Sequence, residues 1–297
     1  MANLKIIRIR IASVKSTRQI TSAMKMVSAA KLRKAQDRIL RLRPYAHKLH
    51  EILVVLSQSL AESEIENIYS RNSSHPEKIL IVVITSNRGL CGAFNSNVIK
   101  EVKRVVSEKY PVQFSKGNIT LLTIGKKGYD YLRKQNHKML PDCNYLLNDL
   151  TFENAMIVAE AIMKSFIAGE YDRVEIIYNQ FKNAAVQNLT DEPFLPVETV
   201  SAGKMELPPV DYIYEPGKEE IVRELIPKSL KIQFYKAVLD SFVAEHGARM
   251  TAMHKATDNA TEMIRDLTLQ YNKARQAAIT NQILEVVSGA EALKESH

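Results

Sequence analysis

The sequence has few of the residues that interrupt helices or crosslink chains. Its 297 residues include ten glycines, ten prolines and two cysteines. So little glycine and proline leaves room for very long helices. Cys91 and Cys143 match neither a zinc-binding spacing nor a disulfide framework. We therefore expect a protein of a reducing compartment.

Long apolar runs are also missing. The longest is the short stretch Ile79–Ile84, whereas a membrane span needs about 18 apolar residues. The N-terminus carries charges and lacks the apolar segment of a secretory signal. Apolar residues make up 45% and charged residues 25% of the chain, a composition typical of folded proteins. We expect a folded chain with neither a membrane span nor a secretory signal.

Acidic residues are scarce near the N-terminus. Residues 1–50 contain thirteen Lys and Arg but a single acid, Asp37, so this segment carries +12 while the whole chain carries +8. A basic segment of this kind suits an acidic partner, which could be nucleic acid, a membrane surface or an acidic protein. A solvated helix face is the alternative explanation.

The N-terminal segment has a heptad pattern. Residues 1–43 contain neither glycine nor proline, and apolar residues recur at the 3,4 spacing of a coiled coil. Pro44 interrupts this pattern without shifting its register, so we expect a kink and not a stop. The predicted seam comprises Leu4, Ile7, Ile11, Val14, Leu32, Ala35, Ile39, Leu42, Ala46, Leu49, Leu53 and Leu56, with a polar middle of Arg18, Thr21, Lys25 and Ser28.

A second heptad pattern occupies the C-terminal segment. Pro227 is placed well for a helix start. Neither long helix can bury its apolar stripe alone, so we predict that the two pair with each other, antiparallel. The predicted seam comprises Met253, Ala256, Ala260, Met263 and Leu267, followed after a slip by Tyr271, Ala274 and Ala278.

The middle of the chain alternates strand and helix patterns, which favours a mainly parallel α/β sheet. The fold class is therefore a long antiparallel coiled coil of N- and C-terminal helices (1–57 and 227–289) plus a central Rossmann-like α/β domain (76–215). Its predicted strands are Ile79–Thr85, Ile119–Ile124 and Arg173–Tyr178, its helices Asn95–Glu108, Lys126–Lys134 and Phe152–Ile167, and its edge strands or loops Asn183–Pro196 and Val210–Glu215.

Motifs for catalysis or cofactor binding are absent. Arg88–Gly92 follows the first strand, where a dinucleotide fold has its phosphate loop, but it lacks the G-x-G-x-x-G spacing. No Gly-Lys pair is followed by Ser or Thr, which excludes a P-loop. We interpret Arg88–Gly92 as a tight turn with a helix cap and Cys91 as a packed thiol. The sequence predicts no catalytic residue, no cofactor and no metal site.

Three function classes remain open at this point. The first is a mechanical element with a stiff two-helix shaft on a globular base, for which a polar seam middle would provide partner contacts. The second is a nucleic-acid-binding coiled-coil protein that uses the basic segment, although residues 1–43 lack aromatics for base stacking. The third is a nucleotide-dependent α/β enzyme, which the missing glycine pattern argues against.

Three long motifs decide among these classes. The segments Ala2–Lys5, Ile11–Lys15 and Gln19–Lys31 closely resemble the N-terminus of F-type ATP synthase gamma subunits. Ala248–Met253, Ala256–Ala260 and Leu267–Thr280 resemble the C-terminus of that family, and Ser86–Asn95 resembles its central signature. The resemblance covers essentially the whole chain, in order.

This resemblance implies a rotor of the bacterial type. The helix pair would turn inside a ring of three alpha and three beta subunits, with the α/β domain near the epsilon subunit and the membrane c-ring. Rotation would couple proton translocation to ATP synthesis or hydrolysis in beta, so the chain itself would be non-catalytic and would bind no nucleic acid. Its place would be peripheral, on the cytoplasmic side of the cell inner membrane, and the motif at Ala2 leaves no room for a transit peptide.

The resemblance also implies individual contacts. Met24 and Lys25 match a segment near the acidic lever region of beta, and Arg249, Gln276 and Thr280 match polar positions that touch beta loops. Three features depart from the family pattern. Asn87 replaces the usual Asp, Gln282 replaces a frequent Glu, and Ala244–Gly247 replaces a Ser-Glu start.

Overall fold

A computed structural model describes residues 2–60, 68–71, 75–135, 137–197 and 217–295. The helices are α1 (Ala2–Leu60), α2 (Phe94–Arg104, continued by a π-helix at Val105–Lys109), α3 (Pro111–Ser115), α4 (Lys126–Arg133), α5 (Phe152–Ile167) and α6 (Lys218–Glu295), with short 3₁₀ turns at Ile68–Ser70 and Asn144–Leu147. The strands are β1 (Ile79–Ile84), β2 (Ile119–Ile124), β3 (Lys138–Met139), β4 (Arg173–Phe181) and β5 (Gln187–Leu195).

The strands form one sheet with the order β3-β2-β1-β4-β5. β1 pairs in parallel with β2 and with β4, and β2 pairs in parallel with β3. β5 runs antiparallel to β4 and forms an edge. This sheet confirms the predicted mainly parallel α/β fold, and β5 lies within the region predicted as edge strand or loop.

Successive residues of β1 enter two different cores because side chains alternate across a strand. Leu80, Val82 and Ile84 pack in one cluster with α5 and α6 residues such as Phe166 and Phe234. Ile79, Ile81 and Val83 pack in the other cluster with Val98 and Val102 of α2. Both faces of the sheet are therefore covered, as an apolar parallel strand requires.

The chain divides into two compact units, Met1–Ser28 with Met250–His297, and Ala29–Arg249. We call the first the helix-pair unit and the second the central unit. The predicted limits 1–57, 76–215 and 227–289 stay a prediction, and Val210–Glu215 lies outside the described residues.

The helix-pair unit is antiparallel, as predicted. Arg8 Nη2 donates to the Tyr271 hydroxyl at 2.9 Å, and Thr257 Oγ1 donates to Thr21 Oγ1 at 2.8 Å. Positions that rise along α1 therefore meet positions that fall along α6.

Burial along α1 follows the apolar positions of the predicted seam as far as Leu49, whereas Arg18 is exposed, and the side chains of Leu53 and Leu56 lie outside the described part of the chain. Leu32, Ala35, Ile39 and Leu49 are buried. The seam positions from Leu4 to Val14 are half-buried, and their neighbours are mostly exposed. The helix continues through Pro44, which is exposed. The prediction that Pro44 does not stop the helix is confirmed.

The predicted α6 seam is wrong at one clear position. Met263 is 45% exposed, whereas Ile264 is half-buried. Thr257 is half-buried as well and bonds to Thr21. With Thr257 and Ile264 in the seam, the 3,4 spacing runs without the predicted slip from Met253 to Ala278. The prediction took the apolar Ala256 and passed over Thr257, and the 3,4 spacing counted from Ala256 then led to Met263 instead of Ile264.

Pro227 does not begin α6. The helix starts at Lys218 and contains Pro227. Ile226 and Leu230 on either side of the proline are buried, and Ile221 and Leu225 also pack on the core. Their burial outweighs the helical hydrogen bond that a proline removes, a loss of about 3 kcal/mol in a helix interior.

Among the described residues, no helix is long and apolar enough to cross a membrane.

Candidate partner-contact site

Met24 and Lys25 lie on α1 within the helix-pair unit, and both are half-buried. They stand between two seam residues, Thr21 and Ser28, which are 8% and 2% exposed. Each side chain is therefore partly available to a partner. Lys25 occupies a seam position, so its aliphatic stem can be covered while the ammonium stays in water.

The two buried hydroxyls in the polar middle of the seam, those of Thr21 and Ser28, are satisfied within the chain. Thr21 Oγ1 donates to the Arg18 carbonyl at 3.0 Å and accepts from Thr257, and Ser28 Oγ donates to the Met24 carbonyl at 2.8 Å. Buried hydroxyls need such partners. The interpretation of the polar seam as a partner-contact feature is thus wrong for Thr21 and Ser28, because they face inward.

Gln276 and Thr280 lie together on an exposed face of α6. Residues four apart are neighbours on a helix surface, and Thr280 Oγ1 donates to the Gln276 carbonyl at 3.0 Å. The amide of Gln276 projects from the same stripe. The structure brings these two predicted residues together and places them within the helix-pair unit with Met24 and Lys25.

Sequence reasoning missed a set of exposed apolar side chains in the helix-pair unit. Large exposed hydrophobic patches mark interaction sites in folded proteins. The signal was available as apolar residues at positions outside the heptad seam. These residues are Ile6, Ile9, Ile20, Met26 and Val27 on α1, and Met263, Leu269, Ile279, Ile283, Leu284, Val286 and Val287 on α6.

Basic side chains lie among these apolar residues. Arg10, Lys15 and Arg18 are exposed, and the described part of the chain has no ion pair for them. The exposed surface of α1 in this unit is therefore both apolar and positively charged. An acidic protein surface with apolar pockets complements it.

Arg249 stands apart from the other predicted contact residues. It belongs to the central unit, and its side chain is 8% exposed. Its guanidinium forms an ion pair with Glu245 at 2.7 Å and donates to the carbonyls of Arg88 and Gly89. As a direct partner contact Arg249 remains a prediction, and its described bonds are within the chain.

The loop between β1 and α2 has the place of a nucleotide phosphate loop but a different use. The first N–H groups of α4 would be the natural donors to an anion. Lys126 N donates to Asn87 Oδ1 at 3.1 Å, Lys127 N to the Ser86 carbonyl at 3.1 Å, and Gly128 N to Thr85 Oγ1 at 2.9 Å. The first N–H groups of α4, the helix that follows β2, are thus bonded to residues 85–87, and an anion at the start of α4 would have to displace these three internal bonds.

Asn87 uses both ends of its amide. Besides accepting from Lys126, it donates through Nδ2 to the Asn144 carbonyl at 3.0 Å and to Asn148 Oδ1 at 3.2 Å. An aspartate could not donate either bond. The departure from the family pattern therefore serves local structure in this chain.

The buried ionisable groups of the central unit serve packing. Burial raises the pKa of the Cys91 thiol, which disfavours the nucleophilic thiolate. Burial also raises the pKa of Asp240 to about 6, against the opposing charges of Arg43 and Lys236. Among the described residues, no group of three or more His, Cys, Asp or Glu could hold a metal ion.

Comparisons with known proteins agree with this geometry. The family model described as ATP synthase matches residues 3–293. The chain is 58% identical over 294 residues to an ATP synthase gamma chain of Flavobacterium johnsoniae, covering 99% of each chain. It is 46% identical to one of Geobacter metallireducens, covering 99% of this chain and 100% of the relative.

Solved structures share the fold. A chain from the central stalk and c-ring of the Tetrahymena thermophila mitochondrial ATP synthase is 27% identical, with a TM-score of 0.58 over 80% of this chain and 99% of that chain. A rotor chain of the Euglena gracilis mitochondrial ATP synthase reaches a TM-score of 0.67 over 94% of this chain and 99% of that one. At 23% identity, the second likeness concerns the fold alone.

Proposed function

The chain belongs to the family of ATP synthase gamma chains, and from this premise we propose that it is the central stalk of a rotary ATP synthase. The observation that carries the proposal is the match over the whole chain to gamma chains, joined to an antiparallel helix pair with an exposed apolar and basic surface. The stalk is a non-catalytic subunit, and the catalytic sites lie in beta.

The mechanism is mechanical coupling. Rotation of the membrane c-ring by proton flow turns the stalk, whose different faces then meet the three beta subunits in turn. Each beta site shifts between conformations according to its contact with the stalk, because a partner changes an equilibrium only through unequal affinity for the two states. The reverse sequence couples ATP hydrolysis to proton pumping.

The partners follow from this role. We propose one copy of the chain within three alpha and three beta subunits, with an epsilon subunit and the c-ring also bound. The complex is the membrane-bound element, and the chain is peripheral on the cytoplasmic side of the inner membrane. The comparisons support this role and not the alternative of a nucleic-acid-binding protein.

The proposed direct contacts with the alpha–beta ring are Met24, Lys25, Gln276 and Thr280, whereas Arg249, whose side chain is buried, is proposed to act on the ring indirectly. The positive charge of the α1 surface supports contact with an acidic region of beta, since opposite charges favour both encounter and orientation. The exposed hydroxyl and amide of Thr280 and Gln276 support a polar contact with beta loops.

Assembly tests the proposal directly. The chain is co-expressed with the alpha and beta subunits of its own source, and the mass of the particle and its MgATP hydrolysis are measured with and without the chain. We expect one copy in a three-plus-three ring and faster hydrolysis. A chain that stays alone, or that hydrolyses ATP or binds DNA by itself, contradicts the central-stalk function.

A second test separates coupling from hydrolysis. Met24→Lys adds a charge next to Lys25, so we expect it to lower proton pumping per ATP hydrolysed more than hydrolysis itself. Met24→Leu is the matched control, because leucine is apolar and similar in size to methionine. It should leave the ratio of protons pumped to ATP hydrolysed unchanged. An unchanged ratio in Met24→Lys contradicts the assignment of this contact.

A further inference from the structure

Arg249 anchors the loop that joins β1 to α2, residues 86–92, which we call the 86–92 loop. Nη2 donates to the Arg88 carbonyl at 2.9 Å and to the Gly89 carbonyl at 3.4 Å, and Nε donates to the Gly89 carbonyl at 3.3 Å. One planar guanidinium thus binds two successive carbonyls. This fork geometry is specific to arginine.

The anchored loop has a backbone that needs support. Leu90 has a φ of 63°, and it is the non-glycine residue with positive φ in the described chain. Such a conformation is disfavoured for a side-chain-bearing residue and persists where surrounding contacts enforce it. Ser86 Oγ, at the start of the loop, donates to the Arg88 carbonyl at 2.7 Å, so this carbonyl accepts from the loop itself and from Arg249 on α6.

The Arg249 guanidinium is itself held by two residues of the preceding turn of α6. Glu245, one turn earlier on α6, pairs with Arg249 Nη1 at 2.7 Å, and both side chains are buried. His246 Nδ1 lies 3.4 Å from Nη1. Burial, together with the positive charges of Arg249 and Lys31, lowers the pKa of His246 to about 3, so the imidazole is neutral and can accept from Nη1.

The loop presents two side chains outward. Leu90 is 64% exposed, and Arg88 is exposed as well. An apolar side chain and a positive charge are therefore exposed on a loop whose backbone carbonyls accept bonds from Ser86 and Arg249. A loop with two outward side chains on a supported backbone is pre-organised for binding.

We propose that Arg249 is a positioning residue, which sets the 86–92 loop so that Arg88 and Leu90 contact an acidic, partly apolar surface of a partner subunit. Arg249 then influences coupling through the loop and not through its own contact with the partner. The identity of that partner as a subunit of the rotary complex rests on the proposed function, whereas the anchoring of the loop does not.

Lysine distinguishes positioning from a direct charge contact. Arg249→Lys keeps the positive charge, but one ammonium group cannot reproduce the fork that binds Arg88, Gly89 and Glu245. A long-range attraction to an acidic partner would survive this change. Positioning of the loop would not.

Cys91 is a native reporter of the loop. It is 1% exposed, and its Sγ lies 3.3 Å from Asn95 Nδ2. In the full chain carrying Cys143→Ser, we would measure the rate of maleimide labelling of Cys91 with and without Arg249→Lys. Loss of the charge-assisted bonds should speed labelling by about 10- to 100-fold.

Two controls keep this measurement interpretable. Arg88→Ala removes an exposed side chain but keeps the carbonyl that Arg249 binds, so labelling should stay at the starting rate. Labelling of Cys143 in a Cys91→Ser chain reports general unfolding, and it should not change with Arg249→Lys. Equal labelling of Cys91 with and without Arg249→Lys overturns the positioning role, as does an equal rise at Cys143.

Coupling is then measured in the assembled complex. We expect Arg249→Lys and the double variant Arg88→Ala/Leu90→Ala to lower proton pumping per ATP hydrolysed, and their combination to lower it no further than the larger effect. Fully additive losses overturn the proposal, because they would mean that Arg249 acts by a separate contact. Failure of the chain to join an alpha–beta ring contradicts the proposed function and leaves the labelling result intact.

Discussion

In the helix-pair unit Ile20 and Val286 are 60% and 72% exposed, whereas each of the six residues of β1 in the central unit is buried completely. The central unit covers its apolar side chains with its own helices on both faces of the sheet. The helix-pair unit has one narrow seam and leaves many large apolar residues in water. The first arrangement is typical of an independent core and the second of a surface that a partner covers.

Polar side chains show the reverse contrast. In the helix-pair unit the buried Thr21 and Ser28 are bonded to carbonyls one turn away. In the central unit Asp240 is fully buried, its carboxylate oxygens have no hydrogen-bond partner, and Arg43 lies 3.7 Å away. Backbone carbonyls satisfy short hydroxyls anywhere along a helix, but a buried carboxylate depends on what the tertiary fold brings near it.

The largest expected effect tests the packing of the central unit. An added Cβ at Gly125 would lie 2.3 Å from the Thr85 carbonyl oxygen, and Gly125 has a φ of 116°. Gly125→Ala should therefore destabilise the central unit by roughly 3–5 kcal/mol, from clash and backbone strain together. Urea unfolding followed by circular dichroism measures the change.

Gly117→Ala is the matched control for Gly125→Ala. Gly117 has a φ of 69°, but a Cβ there meets nothing within 4 Å. Gly117→Ala should lower the free energy of unfolding only by the cost of a left-handed conformation for alanine, about 1–2 kcal/mol. Equal losses at the two glycines would mean that the close approach to Thr85 is unimportant.

The second effect is the pH dependence of Asp240. Its pKa in the fold is about 6, against about 3.9 for an unperturbed aspartate. The unfolded state releases this proton first as the pH rises, so stability is lost between about pH 4 and pH 6 and is constant above. Asp240→Asn removes this loss and should be more stable at pH 7 by roughly 2–3 kcal/mol.

Several other charged or titratable groups lie near Asp240, and the measurement must separate their effects from that of Asp240. Arg43 on α1, Lys236 on α6, and Glu192 on β5 act on its charge, and Tyr178 on β4 lies near it. His246 has the opposite pH dependence, because its pKa falls to about 3 in the fold. His246 contributes equally to the stability of the unsubstituted chain and of Asp240→Asn, so its contribution cancels when the two free energies of unfolding are subtracted. A difference that does not change between pH 4 and pH 7 would mean that Asp240 titrates normally.

The third effect tests the register of the helix-pair unit. Ile264→Ala removes half-buried apolar atoms and should cost about 1–2 kcal/mol, whereas Met263→Ala at an exposed position should change stability by about 0.5 kcal/mol or less. Thermal unfolding followed at 222 nm compares the two. A larger loss of stability from Met263→Ala than from Ile264→Ala would mean that the predicted register, with Met263 in the seam and a slip after Leu267, is correct.

The fourth effect concerns the bond between Thr257 and Thr21. Thr21 Oγ1 donates to the Arg18 carbonyl, and the single proton of Thr257 Oγ1 can go either to Thr21 Oγ1 or to the Met253 carbonyl, each 2.8 Å away. A double-mutant cycle with Thr21→Val and Thr257→Val should give a coupling energy of about 0.5–1.5 kcal/mol. Independent effects of the two substitutions would show that the backbone bonds alone satisfy these hydroxyls.

The smallest expected effect is a gain in stability from a glycine-to-alanine substitution, opposite in sign to the loss expected for Gly125→Ala. Gly289 lies inside α6 with open space around its Cα. Gly289→Ala should stabilise this part of the helix by up to about 1 kcal/mol, since alanine has the higher helix propensity. Helix content on heating measures it. A loss of helicity would indicate a close contact at Gly289.

Local patterns were sufficient for the regular elements. The predicted strand Ile119–Ile124 and helix Phe152–Ile167 have the bounds that the structure has. Each combines a strong period with a clear boundary residue. Thr151, for example, caps α5 by accepting from Asn154 N at 3.3 Å.

Local patterns failed where a residue type stands in a structural position that it rarely occupies. Pro227 reads as a helix start but lies within α6, because apolar residues on both sides of it are buried. Thr257 is not part of the predicted seam but belongs to the seam in the structure, where it bonds to Thr21. In both cases a contact with a residue far away in sequence decided the outcome.

The candidate site divides in the same way. The resemblance of three long motifs predicted Met24, Lys25, Gln276 and Thr280 as contacts with beta, which stays a prediction, and their side chains are exposed or half-buried in the structure. Arg249 belongs to the same motifs, but its fork binds the carbonyls of a loop 160 residues away in sequence. Neither charge nor spacing along α6 contains that information.

The sequence by itself determined the two long helices, the alternation of strand and helix between them, and the family to which the chain belongs, since all three depend on local periodicity or on ordered motifs. The tertiary structure decided which seam residues face inward, why Asn87 suits its position, and how Arg249 and Asp240 are partnered. The physical reason is that hydrogen bonds and desolvation act over a few ångströms in space, so their partners are set by the folded chain and not by neighbours in sequence.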